Sequence, residues 1–242
     1  MFYSVIIPAY NESEFLPRTL TYLRKAIQAI DIKCEVIVVD NNSQDNTSQI
    51  AEEYGAAVFF EKINQISRAR NRGGKQAAGE YLIFLDADTI IKPDTLKRAL
   101  KNLASGCCGG GALVDFDKPI PGYAQKLARL WNFISLKYNL AAGSFLYCLK
   151  DGFMDIKGFN ESVYAGEEIW FSKRLKAWGQ KRNKSFLVIK DYPVITSSRK
   201  LEWYTFLEIA LQILILTLFP PATRFRLLCS SWYRRPKKQN KK

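Results

Sequence analysis

The chain has 242 residues, 48% of them hydrophobic, which is enough for one large domain with a full core. It contains no histidine, which excludes Ser-His-Asp chemistry, a histidine base and histidine metal ligands; its five cysteines show neither zinc spacing nor a disulfide framework. The formal net charge is +13, but residues 222–242 hold eight Lys or Arg and no acid, so most of the excess lies in a basic tail.

Apolar runs and helical stretches alternate along the first ninety residues. Apolar runs predict strands at 2–7, 35–40, 57–60 and 81–85. Helical spacing and turn residues predict helices at about 11–30, 47–54 and 67–78. This order predicts an α/β domain with a Rossmann-like, mostly parallel sheet and helices on both faces.

The elements beyond residue 90 are less regular. Helices are predicted at 92–104, 123–138 and 168–178, and a short strand at 112–114. A glycine- and cysteine-rich stretch at 106–111 is expected to be flexible. The helix at 123–138 is amphipathic, and it either packs on the core or faces an acceptor or a membrane.

The strand at 81–85 ends in two carboxylates, Asp86 and Asp88. Side chains two residues apart on an extended chain point to the same side, and ligands bind at the carboxyl ends of strands in open α/β sheets. A hard divalent cation, Mg²⁺ or Mn²⁺, would relieve the repulsion between them and commonly brings a phosphate. The alternative is a solvated strand end in which Asp88 caps the next helix.

Five segments carry a pattern that is more specific than any single residue. They are residues 5–12 (VIIPAYNE), 38–47 (VVDNNSQDNT), 69–73 (ARNRG), 84–88 (FLDAD) and 158–175, which holds GFNE, GEE and RL. In this order they resemble the motifs of family 2 glycosyltransferases, which are inverting enzymes of the GT-A fold. The resemblance covers roughly residues 3–180 and implies a metal-dependent enzyme that uses a nucleotide sugar.

The resemblance also implies a donor site. It would be formed by Pro8, Ala9, Tyr10, Glu12, Asp40, Arg70, Asp86 and Ala87, with the metal on Asp86 and Asp88. Asp40 would read the base, most often uracil, and Tyr10 would stack on it. The alternatives are a helix cap for Asp40, ordinary packing for Tyr10 and a solvated helix face for Arg70. The family often has Asp-Gly where this chain has Asn41-Asn42, but asparagine tolerates the left-handed turn.

The catalytic base of an inverting transferase is a carboxylate that takes the proton of the acceptor hydroxyl. The resemblance implies Glu167 and Glu168 for this role; we favour Glu168 as the base, although the family usually has Asp at that position. The alternative is an acidic first turn that stabilises the helix dipole. Gly143 and Ser144 are expected near the acceptor, and Arg199 near a phosphate.

Residues 203–219 form the most apolar stretch, seventeen residues long, which is below the roughly 20 that span a bilayer comfortably. The pattern favours a helix lying on a membrane, with Trp232, Tyr233 and the basic tail as anchors. A helix that covers the catalytic domain, or a dimer contact, is the alternative. We therefore divide the chain into a GT-A catalytic domain at 1–200, an apolar amphipathic helix at 201–221 and a basic tail at 222–242.

Together these features predict a peripheral or monotopic enzyme on the cytoplasmic side of a membrane. It would move one sugar, with inversion, from a nucleotide sugar, UDP-sugar favoured, to a hydroxyl or a lipid phosphate. The Gln-x-x-Arg-Trp motif of processive members is absent from the sequence, which favours single transfer. The alternatives are a nucleotidyltransferase and a basic nucleic-acid-binding protein. We expect no nucleic-acid partner, because acidic motifs line the predicted cleft.

Overall fold

The structure, a computed structural model, describes residues 2–233, apart from the side chains of Phe206, Ile209, Ile213, Thr217 and Trp232. In that range the strands are Phe2–Ala9 (β1), Lys33–Asp40 (β2), Ala57–Phe60 (β3), Tyr81–Leu85 (β4), Thr89–Ile90 (β5), Gly109–Phe116 (β6), Phe145–Leu149 (β7) and Phe186–Thr196 (β8). The α-helices are Leu16–Gln28 (α1), Thr47–Glu53 (α2), Ile66–Gln76 (α3), Pro93–Ala104 (α4), Gly122–Tyr138 (α5), Lys150–Asp155 (α6), Glu167–Gln180 (α7), Arg199–Trp203 (α8), Phe206–Leu218 (α9) and Ser230–Tyr233 (α10). Two 3₁₀ helices, Pro220–Arg224 and Arg226–Cys229, connect α9 to α10.

One mixed sheet in the order β3-β2-β1-β4-β7-β6-β8-β5 organises the described residues. The pairs β2–β3, β1–β2, β1–β4 and β6–β8 are parallel. The pairs β4–β7, β6–β7 and β5–β8 are antiparallel. The predicted α/β class and mostly parallel sheet are confirmed.

Helices cover both faces of the sheet because the central strands are apolar on both sides. In β1, Val5 and Ile7 belong to one core cluster, while Ile6 belongs to the other. The first cluster includes buried residues of α1 and α4, and the second includes residues of α3, α6 and α7. The central strands therefore carry no polar face of their own, and polar chemistry is confined to their ends.

Two local predictions are wrong. Strand β1 does not stop before Pro8 but continues to Ala9, because its pairing with β4 ends at Ile6 and only β2 runs beside Pro8. The glycines at 109–111 belong to strand β6 rather than to a flexible stretch. A Cβ on Gly110 would lie 1.8 Å from the Leu187 carbonyl oxygen, so close packing with β8, not flexibility, explains these glycines.

The predicted helix at 203–219 is divided in the structure. Trp203 ends the short α8, and α9 begins after Thr205, whose side chain forms a capping box with Glu208. Within residues 2–233, no helix has both the length and the apolarity needed to cross a bilayer. The prediction of Tyr233 as a membrane anchor is wrong, because its ring is buried and its hydroxyl donates to the Tyr164 carbonyl. The side chain of Trp232 and residues 234–242, the other predicted anchors, lie outside the described part of the chain.

Candidate active site

A cavity of about 530 Å³ lies at the carboxyl ends of β1 and β4. Its lining includes the predicted site residues Pro8, Ala9, Tyr10, Glu12, Arg70, Asp86, Ala87, Asp88, Gly143, Ser144, Glu167, Glu168 and Arg199. These residues come from positions 8 to 199, so the fold gathers predictions made from separate motifs into one place.

Arg70 is the centre of the first polar cluster in this cavity. Its side chain is 1% exposed, so the alternative of a solvated helix face is wrong. Nη1 donates to Glu167 Oε1 at 2.7 Å, and Nη2 donates to Asp86 Oδ1 at 2.9 Å and to the Gly143 carbonyl at 2.7 Å. One buried guanidinium thus neutralises two carboxylates that burial alone would make unfavourable.

Asn71 explains why the ARN motif and the GFNE motif occur together. Its Nδ2 donates to the Phe159 carbonyl and to Glu161, while its Oδ1 accepts the Phe159 amide at 2.8 Å. Gly158 has φ +66°, and a Cβ there would lie 2.3 Å from Asn71 Oδ1. The contact holds α3 against the segment leading to α7, and it places the Phe159 ring 5.3 Å from the Arg70 guanidinium carbon.

Glu167 and Glu168 form the start of α7, after Gly166 in the left-handed conformation. Glu167 is buried and engages Arg70, whereas Glu168 is partly exposed in the cavity. Burial, followed by the charge of Glu167, raises the pKa of Glu168 to about 8. A carboxylate with a pKa of about 8 is suited to take up a proton, whereas Glu167 is held in an ion pair with Arg70.

Arg199 is the centre of the second cluster and comes from α8. Its Nη1 and Nη2 donate to the two oxygens of Glu12 at 2.6 and 2.5 Å, and Nη2 lies 3.0 Å from Asp88 Oδ2. The guanidinium carbon lies 4.5 Å from the Phe15 ring centroid and 5.2 Å from that of Trp203. The predicted phosphate contact of Arg199 stays a prediction; in this structure the side chain pairs with carboxylates.

Asp86 and Asp88 suit a divalent cation that is coordinated by a substrate phosphate as well as by the protein. No group of three or more Cys, Asp or Glu side chains in the described range could hold a metal alone. Mg²⁺ typically uses one or two carboxylates and completes its shell with water and substrate phosphates, so two aspartates are sufficient. Each aspartate pairs with an arginine through one oxygen, Asp86 through Oδ1 and Asp88 through Oδ2.

Asp40 lies at the end of β2, just outside the cavity lining. Its Oδ1 accepts the Ser43 amide at 2.9 Å and its Oδ2 accepts the Ser48 hydroxyl at 2.6 Å, contacts that hold the turn leading to α2. The next residue, Asn41, lines the cavity instead. Asn42 has φ +69°, which confirms that asparagine supports the left-handed turn here. Base recognition by Asp40 stays a prediction.

Several cavity residues were not predicted as site residues. Trp131, Asn64 and Tyr233 all line the cavity, as does Lys200, which belongs to the polar loop at 196–200 that was expected to meet a phosphate. Burial raises the pKa of Asp86 overall, while the charge of Arg70 and, more weakly, that of Lys200 lower it. Trp131 lies on the apolar face of the amphipathic helix at 123–138, so the sequence pattern could have indicated it. An isolated asparagine in a loop, such as Asn64, gives no pattern by which it could be found.

Four polar atoms of the lining residues are buried and have no hydrogen-bond partner in the described range. They are Arg70 Nε, Ser144 Oγ, Glu167 Oε2 and Arg199 Nε. Buried polar atoms are almost always paired in folded proteins. Their concentration around one cavity indicates a site built for a polar ligand.

Comparison with known proteins agrees with this geometry. The glycosyl transferase family 2 profile matches residues 4–152. The chain is 31% identical to glycosyltransferase AglE of Haloferax volcanii over 206 residues, which cover 79% of this chain and 67% of AglE. It is 33% identical over 110 residues to the undecaprenyl-phosphate 4-deoxy-4-formamido-L-arabinose transferase of Pseudomonas fluorescens, covering 43% of this chain and 32% of that protein.

Solved structures share the fold. TarS residues 1–349 of Staphylococcus aureus, in complex with UDP-GlcNAc, superpose with a TM-score of 0.59 at 22% identity, covering 96% of this chain and 72% of that one. The mannosyltransferase PcManGT of Pyrobaculum calidifontis, in complex with GDP-Man and Mn²⁺, gives a TM-score of 0.64 at 20% identity, covering 97% and 65%. The predicted GT-A fold is confirmed.

Proposed function

Because the chain belongs to glycosyl transferase family 2 and is a glycosyltransferase, we propose that it moves a single sugar, with inversion, from a UDP-sugar to a hydroxyl or lipid-phosphate acceptor. The observation that carries this proposal is the shared cavity. Asp86 and Asp88 line it together with Glu168, a carboxylate whose pKa is near neutrality. The site thus combines a place for a metal diphosphate with a candidate base.

The donor half of the proposal rests on residues 8–88. Pro8, Ala9 and Tyr10 line the cavity beside Asn41, and we assign this side to the nucleotide. Relatives in this fold bind UDP-GlcNAc or GDP-Man, the second with Mn²⁺, which supports a nucleotide sugar and a divalent cation as ligands. Such a cation, held by Asp86 and Asp88, would supply Lewis-acid stabilisation of the departing nucleoside diphosphate.

The catalytic half rests on α7. Glu168, as carboxylate, takes the proton of the acceptor hydroxyl while the acceptor oxygen attacks the anomeric carbon from the face opposite the leaving group. Arg70 holds Glu167 and Asp86 in fixed positions, and thereby sets the spacing between base and leaving-group site. Gly143 leaves this space open: a Cβ there would stand 3.3 Å from Arg70 Nη2 and 3.7 Å from Glu168 Cδ.

We place the enzyme on the cytoplasmic side of a membrane, with α9 lying on the surface. Leu207, Leu211, Leu214 and Leu218 of α9 are 52 to 75% exposed, and the basic residues 222–242 follow. A relative that acts on undecaprenyl phosphate supports a lipid-borne acceptor. An already ionised phosphate acceptor would need little help from Glu168.

The test is nucleoside diphosphate release from a panel of UDP-GlcNAc, UDP-glucose and GDP-mannose, with Mn²⁺ and with excess chelator. With water in the place of the acceptor, we expect metal-dependent hydrolysis of the donor to UDP and a free sugar whose first-formed anomer, followed by NMR, is inverted relative to the donor. Pyrophosphate release from a nucleoside triphosphate and a sugar phosphate would instead identify a nucleotidyltransferase. No release from any donor would contradict the proposal.

A further inference from the structure

Helix α5 has a packed side and an exposed side, and the exposed side carries large apolar side chains together with basic ones. On the packed side Ala124 and Ser135 are buried, and the Asn132 amide exchanges two hydrogen bonds with the Val114 backbone. On the exposed side Leu130 is 54% and Phe133 is 60% accessible. Leu127, Leu136 and Tyr138 are 40 to 55% accessible. Such a concentration of exposed apolar side chains on one helix marks an interaction surface.

The charges on α5 narrow the choice of partner. Residues 122–138 contain Lys126, Arg129 and Lys137, all exposed, and no acid. Lys137 Nζ lies 5.8 Å from the Phe133 ring centroid and 5.5 Å from that of Tyr138, so cation and aromatic rings form one patch. This mixture suits an anionic lipid surface, with rings at the headgroup boundary and cations on phosphates. A second copy of the same helix would bring cations against cations.

The position of α5 connects this surface with the active site. Leu127 and Trp131 line the catalytic cavity from α5, and Gln212 lines it from α9. Both helices therefore border the same cavity, and both expose leucines to solvent. A surface that bound only one of them would leave the other apolar row in water.

We propose that α5 is a second membrane-docking surface that binds anionic lipid bilayers, so that α5 and α9 together hold the cavity at the headgroup level. A membrane-borne acceptor could then reach Glu168 without leaving the bilayer. This inference rests on the membrane location proposed above, but not on the identity of the donor sugar.

The experiment is vesicle binding by the full chain, with vesicles of phosphatidylcholine alone and with one quarter phosphatidylglycerol. We expect Phe133→Ser to weaken binding to the anionic vesicles about tenfold, as part of a phenylalanine burial is lost. The matched control is Phe60→Ser, since Phe60 is 56% exposed on the edge strand β3. It should change binding less than twofold. Lys126→Gln and Arg129→Gln should each weaken binding about fivefold, on anionic vesicles only.

UDP binding checks that the variants are folded, because neither Phe133 nor Phe60 lines the cavity. Equal vesicle binding by Phe133→Ser and wild type would overturn the inference. So would complete loss of binding on deletion of residues 234–242 with no effect of the α5 variants, or a wild-type dimer that Phe133→Ser converts to monomer. A wild type that binds UDP but no vesicle would overturn the inference and the membrane location, and would leave the donor site intact.

Discussion

Two buried arginines hold the aspartates of the DAD segment, and they differ in where they come from. Arg70 lies on α3, inside the helix layer that packs on the central strands, and it forms ion pairs with both Asp86 and Glu167. Its ring partner is Phe159, which stacks on Phe171 of the same core cluster. The Arg70 cluster is thus part of the folding core as well as of the candidate active site.

The Arg199 cluster has the same chemistry on a different support. Arg199 follows β8 on a five-residue helix, and it forms ion pairs with Asp88 and with Glu12, which lies 187 positions earlier in the sequence. Two aromatic rings lie beside its guanidinium: that of Phe15, which immediately precedes α1, and that of Trp203, the last residue of α8. Arg70 therefore fixes Asp86 and Glu167 beside the proposed base, whereas Arg199 fastens the C-terminal segment to the proposed donor side.

Glu168→Gln tests whether Glu168, beside the Arg70 cluster, is the catalytic base. Glutamine keeps the shape but cannot accept the proton, so we expect UDP release from the donor sugar to fall about 10²- to 10⁴-fold. UDP affinity, measured by calorimetry, should change little. Glu161→Gln is the control, because Glu161 binds Asn71 and Arg68 away from the cavity lining. A loss below tenfold would contradict the base assignment and would favour an ionised phosphate acceptor.

Arg70→Met tests whether the Arg70 cluster contributes to the stability of the fold. It leaves Asp86 and Glu167 without their buried cation, which should lower the free energy of unfolding by about 3–5 kcal/mol in urea titrations. The control is Arg182→Met, since the ion pair of Arg182 with Asp155 is exposed and should contribute less than about 1 kcal/mol. Equal effects of the two substitutions would remove Arg70 from the folding core.

The pH dependence of kcat/KM tests the same assignment of Glu168. Burial and the charge of Glu167 raise the pKa of Glu168 to about 8, and only the deprotonated form is a base. Below that pH, kcat/KM should therefore fall about tenfold per unit, and above it the rate should level off. Glu168→Gln should lose this acidic limb. A wild-type profile that is flat from pH 6 to 9 would contradict the assignment.

Arg199→Met should lower global stability less than Arg70→Met does, by about 1–2 kcal/mol, because α8 can shift and let water reach Glu12 and Asp88. Its specific consequence should be faster proteolytic cleavage within residues 200–233, which Arg199 fastens to the donor side. Arg70→Met should increase cleavage throughout the chain instead. Unchanged cleavage in Arg199→Met would mean that other contacts, such as Tyr233 with the Tyr164 carbonyl, hold this segment.

The sequence pointed to Asp86, Asp88 and Arg70, which the structure brings to one cavity, because their signals are local. Asp86 and Asp88 are two residues apart at the end of an apolar strand, and Arg70 lies in a short motif. The pairing of Glu12 with Arg199 has no local signal, since it depends on where β8 delivers the chain. The glycines of β6 misled the prediction for the same reason: their composition suggests a loop, whereas the neighbouring strand requires their small size.

The assignment of Asp86 and Asp88 to a metal-diphosphate site is best tested by calorimetric binding of UDP, with Mn²⁺ and after chelation, to the wild type and to Asp88→Ala. The substitution leaves Arg199 paired with Glu12, so the C-terminal segment keeps its attachment. We expect the wild type to bind UDP only when Mn²⁺ is present, and Asp88→Ala not to bind it under either condition. UDP binding of equal strength in both proteins, with and without metal, would contradict the assignment of Asp86 and Asp88 as the metal-diphosphate site.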